Sequence, residues 1–283
     1  MRLADPVRRS LAQPAGPVTG LGVRAGFDVT VCLLPAEAGQ GLLLERTDLD
    51  LQLPLHLSHA LDLPSCTAIG TCAEDATLFV EHLMATLHVA GLTDLTVQVS
   101  GPEVPLLDGS ARMWYELIRQ AGVVSFNDPI APVEVKAPVL LGEEHETAPW
   151  ITAEPSTVPR FCYELHYDHP MIGHQEADFT VSQAGFGAEL AAARTFAPAE
   201  ELRQSIEAGI LKGGSEENCL VIYGDHYSAP PTLPDAFARH KIMDMLGDLY
   251  LLGRPVWGAI SGHRTGHLHN RRLLRSLEAC DKV

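Results

Sequence analysis

The chain has 283 residues, 46% hydrophobic and 20% charged, which supplies a large packed core and excludes a disordered segment. Its 20 Lys and Arg stand against 36 Asp and Glu, a net charge of −16. Broad binding to nucleic-acid phosphates or anionic lipid surfaces is excluded on that balance, and an anionic small molecule requires basic residues gathered in one cleft.

No run approaches the roughly 20 apolar residues of a membrane helix. The start, MRLADPVRRSLAQPAG, is basic but lacks the apolar stretch of an export signal. Six scattered cysteines with no CxxC read as reduced thiols of a cytoplasm. Thirteen histidines point towards metal or acid–base chemistry.

In chain order, AGFDVTVCLLPA and GLLLER are predicted strands bounded by Gly and Pro. EHLMATLHVAG has helical spacing with a stop at Gly91, DLTVQVS alternates as a strand, and SARMWYELIRQAG is a helix ending at Gly122. VVSFNDPIAPVE, with its prolines and Asn-Asp pair, reads as a linker. VEVKAPVLLG and RFCYELHYDH are strands, FGAELAAARTF and AEELRQSIEAG helical, and CLVIYG a short strand. A long helix, PDAFARHKIMDMLGDLYLLG, then a strand, PVWGAISG, and a helix, HNRRLLRSLEA, complete the pattern. The reading is α+β: two similar domains, 1–126 and 135–283, joined by a linker at 127–134 and meeting at a cleft.

The long helix carries the first chemical signal. His240 and Asp244 are four apart, so they share a face, and Asp248 extends it by a turn. Their neighbours Ile242, Met243, Leu246, Leu249 and Leu252 are apolar, and ionisable groups buried among them must be paired or metal-bound. The spacing alone fits either a hydrogen-bonded core pair or a ligand pair. Glu81 and His82 open an apolar helix, where a His can ligate a metal beside a Glu acting as base; a solvent-facing first-turn Glu with a core His is the alternative. In SGHRTGHLHN, one of His263, His267 and His269 beside a buried Asp makes a general acid, and the sequence does not select which. His166 and Asp168 have the spacing of a two-His-one-carboxylate iron site, with His226 or His240 as a distant third ligand. GLGVRAG is not a dinucleotide loop: a strand follows it instead of a helix, and no strand is predicted before it.

Taken in order, VEHLMATL, GLTDLTVQVSGPEVPLLDGSA, ARTF, KGGS, RHKIMDMLGDL and GHLHN resemble the UDP-3-O-acyl-N-acetylglucosamine deacetylase family, zinc amidases of lipid A synthesis in Gram-negative bacteria. The resemblance covers most of the chain. It implies two α+β domains with their helices sandwiched between the two sheets and the active site at the interface. It implies His82, His240 and Asp244 as zinc ligands with one position left for water, a donor set that ferrous iron also fits. Glu81 is then the general base, His267 the general acid held by Asp248, and Thr195 a binder of the oxyanion. Lys241, Tyr167 and Phe196 are substrate-binding, with Lys241 on the diphosphate and Tyr167 where an aromatic residue stacks on uracil.

The implied partner is a UDP-linked, acylated N-acetyl sugar, and the implied enzyme a cytoplasmic monomer. A paralogous deacetylase of another N-acetyl sugar, or a non-catalytic binding protein on the same scaffold, are the alternatives. Three stretches depart from the family. Val23, Arg24 and Ala25 replace a turn that carries a His. Ala197-Pro198 replaces a Gly-aromatic pair. Glu216 stands where relatives carry an apolar residue lining the acyl passage, so it turns to solvent or the acyl group is shorter, different or absent.

Overall fold

Residues 6–63, 65–145 and 147–281 are described by a computed structural model; residues 1–5, part of the segment read for an export signal, lie outside them. The first half contains strands β1 (Val7–Leu11), β2 (Ala15–Leu21), β3 (Asp28–Pro35), β4 (Leu42–Arg46), β5 (Leu51–Pro54), β6 (Ala60–Leu61) and β7 (Ala68–Ile69). Helix α1 (Glu81–Ala90), β8 (Leu95–Val99), α2 (Arg112–Ala121) and β9 (Val123–Pro129) follow. The second half has β10 (Val133–Glu134), β11 (Val139–Gly142), β12 (Trp150–Glu154), β13 (Arg160–His166), β14 (His174–Thr180), α3 (Gln183–Glu189) and β15 (Phe196–Pro198). It ends with α4 (Ala199–Glu207), β16 (Leu220–Ile222), α5 (Ala236–Asp248), β17 (Val256–Trp257), β18 (Ala259–His263) and α6 (His267–Asp281).

Two five-stranded sheets share one topology. Their orders are β2-β3-β8-β4-β5 and β11-β12-β18-β13-β14. In each, the last strand in the chain sits at the centre, parallel to the third (β4 with β8, β13 with β18), and every other pairing is antiparallel. Helices α1 and α5 occupy the same place in the two plans, just before the central strand, and α2 and α6 follow it. The duplication suggested by pattern is thus a duplication of topology.

Strands β3 and β13 alternate buried and open positions, which turns Val29, Val31 and Leu33 of one sheet, and Phe161, Tyr163 and Leu165 of the other, inward. One apolar cluster runs through both sheets and the helices. Every residue of α1 except Val89 is buried, as is all of α5 except Arg239 and Lys241, so both are core helices. A left-handed Gly91 ends α1, its N–H returning to His88 O.

Several expectations are corrected. A strand, β2, does precede GLGVRAG, which is the turn of the β2–β3 hairpin. The stretch read as a linker carries strands: β9 pairs with β1, and β10 with β17, with Pro129 at the end of its ladder where a missing N–H is tolerated. Helix α3 stops at Glu189, so ARTF leads into β15 instead of continuing a helix, and Pro198 sits at the N-cap of α4.

Helices α1 and α5 approach closely at Gly247. A Cβ there would lie 2.0 Å from Glu81 O and 2.8 Å from Glu81 C, both backbone atoms that cannot swing aside. Gly247→Ala therefore forces the helices apart at the residues that begin α1. An overpacking cost of about 1–3 kcal/mol predicts a fall of several degrees in the thermal midpoint; an unchanged midpoint by calorimetry contradicts this packing.

Candidate active site

The first turn of α1 meets the middle of α5 and the start of α6. Adjacent helical residues diverge by about 100°, so Glu81 and His82 reach different partners. His82 Nε2 lies 3.1 Å from His240 Nε2 and 3.6 Å from Asp244 Oδ1. Among the described residues, His82, His240 and Asp244 are the group of metal-binding side chains whose ligand atoms all fall within 4.8 Å of one another, and all three are buried. A tetrahedral ion with bonds of about 2.0 Å separates its ligands by about 3.3 Å, between the two measured edges. Asp244 Oδ1 has no hydrogen-bond partner although it is buried, a costly state for a carboxylate oxygen unless a cation meets it. The donor set fits a divalent metal.

Burial drives the His240 pKa down to about 3 despite the attraction of Asp244, so its ring is neutral, the form that ligates. Burial acts to raise Asp244, yet His240, Lys241 and His267 outweigh it and hold the carboxyl well below the usual range. Lys241 Nζ donates to Asp244 Oδ2 at 3.0 Å; burial disfavours that cation, but Asp244 more than compensates and its pKa lies above the ordinary lysine range.

Glu81 is 4% exposed, which removes the solvent-facing alternative. Its Oε2 accepts from the Thr67 N–H at 3.0 Å, and its Oε1 lies 3.8 Å from His267 Nε2. Burial raises its pKa, opposed by His267 and His82, so the group is a better proton acceptor than an exposed carboxylate. Of the three histidines in SGHRTGHLHN, His267 is the one that lines the cavity. Its Nδ1 donates to Asp248 Oδ2 at 2.8 Å. Burial disfavours the imidazolium, but Asp248, Glu81 and Asp244 prevail and lift the pKa to about 9.

These groups surround a cavity of about 170 Å³ whose walls also include Lys241, Tyr167, Thr195 and Phe196. Asp248 stands behind His267 and outside the walls. The Thr195 hydroxyl has no hydrogen-bond partner among the described residues, whereas its backbone is fixed through Gly109 O and Leu220 N. Phe196 packs on Phe237 at 4.5 Å and meets the edges of His240 and Tyr167.

The remaining candidates fall elsewhere. His263 faces Glu164 and stacks on Trp150, and His269 lies by Gly266 N. His166 and Asp168 are exposed, and His226 pairs with Asp225 at the surface, so no iron site forms from them. The altered turn at Val23–Ala25 is held by Glu103, which accepts from Arg24 N and Ala25 N, and none of its residues lines the cavity. Glu216 turns to solvent, accepting from the Tyr223 hydroxyl at 2.5 Å.

Sequence reading missed three residues around Asp248: Thr67, Asn270 and Arg271. Asn270 Nδ2 donates to Asp248 Oδ2 at 2.8 Å, and the Thr67 hydroxyl donates to Asp248 Oδ1. A signal for two of them existed. Positions 267, 270, 271, 274 and 277 form one buried face of α6, which marks Asn270 and Arg271 as buried polar residues in need of partners.

A buried cavity lined by a metal-competent triplet, a buried carboxylate and an imidazole held cationic by its neighbours has the groups that hydrolytic chemistry uses. Residues 8–279 match the family model described as LpxC, UDP-3-O-acyl N-acetylglycosamine deacetylase. Relatives named UDP-3-O-acyl-N-acetylglucosamine deacetylase include one from Anaeromyxobacter dehalogenans, 36% identical over 92% of this chain and 84% of its own. Others are from Myxococcus xanthus, 34% identical over 98% and 88%, and Chromobacterium violaceum, 33% identical over 96% and 90%. The chain belongs to the LpxC family, and is a deacetylase acting on an acetamide.

The His267 shift has a thermodynamic sign. Its folded pKa of about 9 exceeds the ordinary 6.5, so its protonation contributes stability that is complete below pH 6.5 and is lost as pH rises through 9. In the metal-depleted protein, ring-nitrogen NMR is expected to show a histidine still protonated at pH 7.5, titrating near 9 and absent in His267→Gln. A midpoint near 6.5 contradicts the geometry.

Proposed function

We propose that this chain hydrolyses the acetamide of UDP-3-O-acyl-N-acetylglucosamine in lipid A synthesis, with His82, His240 and Asp244 holding a zinc ion. The observation that carries the reading is that a base and a protonated acid, Glu81 Oε1 and His267 Nε2 at 3.8 Å, flank the one ligand triplet found among the described residues. When bound, the ion supplies the Lewis acidity that makes water nucleophilic at neutral pH and polarises the amide carbonyl.

Glu81 takes a proton from the attacking water. Its raised pKa suits that step, and the Thr67 N–H keeps Oε2 in place. Negative charge then develops on the carbonyl oxygen, towards which Thr195 offers an otherwise uncommitted hydroxyl. An amide nitrogen leaves only when protonated, and His267 carries the proton at Nε2 while Asp248 fixes its ring through Nδ1. Lys241 gives local positive charge to an anionic substrate in a protein of net charge −16. Tyr167 and Phe196 offer aromatic surface at the cavity wall to the nucleotide sugar.

The exposed Glu216 removes the objection that a buried carboxylate would repel an acyl chain, and so favours the acylated sugar over an unacylated one. Every group given a role lies on this one chain, so a monomer suffices for the chemistry. The six free thiols and a nucleotide-sugar substrate support a cytoplasmic location; no helix among the described residues is long and apolar enough to cross a membrane.

Glu81→Ala is expected to lower kcat by about 10²–10⁴ while keeping its metal, and His240→Ala to lose both. Acetate release and elemental analysis read the two outcomes; Glu81→Ala with near-parental turnover defeats the base assignment. With acylated and unacylated UDP-N-acetylglucosamine compared, the acylated form is turned over far faster, and equal rates sink the lipid A reading.

A further inference from the structure

Thr67, in the segment just before β7, touches the assigned base and the carboxylate that orients the assigned acid. It is fully buried. Its backbone N–H donates to Glu81 Oε2 at 3.0 Å, and its hydroxyl donates to Asp248 Oδ1. Asp248 Oδ2 in turn accepts from His267 Nδ1 and Asn270 Nδ2, each at 2.8 Å. A hydroxyl has one proton. With that proton given to Asp248, the Thr67 oxygen is an acceptor, and Arg271 Nη1 donates to it at 3.2 Å.

Arg271 is 0% exposed, yet the carboxylate paired with it is Asp62, 3.8 Å away and more than half exposed. A guanidinium withdrawn from water with so loose a counter-ion is costly. Its firm bonds go to the segment carrying Thr67: Nη2 donates to Leu63 O at 2.7 Å and Nη1 to Cys66 O at 3.3 Å. Arg271 lies one turn beyond His267 on α6. It thus clamps the Thr67 segment to the helix that begins with the acid.

We propose that Thr67, anchored by Arg271, is a positioning residue that sets Glu81 and the His267–Asp248 pair relative to one another. This rests on the roles given above to Glu81 and His267 and deepens them. Glu81 belongs to α1 and His267 to α6, and Thr67 is bonded to Glu81 directly and to His267 through Asp248. Without the hydroxyl, Asp248 Oδ1 loses its donor, the carboxylate can turn, and the imidazole it orients turns with it. Neither Thr67 nor Arg271 lines the cavity, so the effect falls on the chemical step and not on substrate binding.

Thr67→Val keeps the shape and the backbone bond to Glu81 but removes the hydroxyl; Thr67→Ser restores it. In the metal-loaded enzyme, with acetate release from the acylated UDP-sugar, Thr67→Val is expected to lower kcat about 10–100-fold, the size of effect that a small misplacement produces. KM and bound metal stay within about threefold of the parent, and Thr67→Ser recovers kcat to within about threefold. If Thr67→Val does not fold by circular dichroism, Thr67→Ala is measured against the same expectations. Parental kcat in the hydroxyl-less variant, a loss matched by lost metal, or a Ser variant as slow as Val overturns the proposal. His267→Ala is assayed alongside: parental turnover there defeats the reading of the acid itself, whereas an inactive His267→Ala with a parental Thr67→Val defeats only the role of Thr67.

Discussion

Three carboxylates (Glu81, Asp244, Asp248) and three imidazoles (His82, His240, His267) share a volume from which water is almost excluded, and matching their charges is the condition on which the rest depends. An unpaired buried carboxylate costs several kcal/mol. Asp248 is met by three donors, from Thr67, Asn270 and His267. Asp244 Oδ2 is met by Lys241, and Glu81 by the Thr67 amide and the nearby imidazolium. The buried carboxylate oxygen left without a hydrogen-bond partner is Asp244 Oδ1, which lies near the Nε2 atoms of His82 and His240. The donor set there fits a divalent cation, whose charge would match the carboxylate oxygen that the protein leaves without a donor.

The fold provides that cluster by repetition. Both sheets follow the same strand order, and each sends a helix into the core just before its central strand. Facing helices in equivalent places then carry different cargo: α1 presents Glu81 and His82 at its first turn, and α5 presents His240, Asp244 and Asp248 along successive turns. The contact at Gly247, where no side chain fits, lets the backbone of α5 reach the first residue of α1. Packing, charge and chemistry are joined at that crossing.

The core helices were legible because helical spacing of apolar residues is a strong local signal. The strands missed at β1 and β9 are of another kind. VRRSL is mixed in character, VVSFNDP is largely uncovered, and the two are held by each other across more than a hundred residues, so no local pattern announces them. At the site, spacing on α5 left His240 and Asp244 open between a core pair and a ligand pair; the ordered series of family segments, and not periodicity, carried the ligand reading. Spacing likewise left the histidine of SGHRTGHLHN open and the resemblance named His267; the structure turns His263 to Glu164 and His267 to Asp248. Thr67 was beyond reach altogether: its partners lie 14, 181 and 204 positions away in the chain.

The claim that two imidazoles and one carboxylate bind a single ion is tested most directly by X-ray absorption at the zinc edge on the loaded protein. The account predicts a first shell of about four nitrogen and oxygen atoms near 2.0–2.1 Å, with the outer-shell scattering of two imidazole rings and no sulfur. A shell containing sulfur, or one whose imidazole scattering is unchanged when His82 is replaced by Ala, contradicts it.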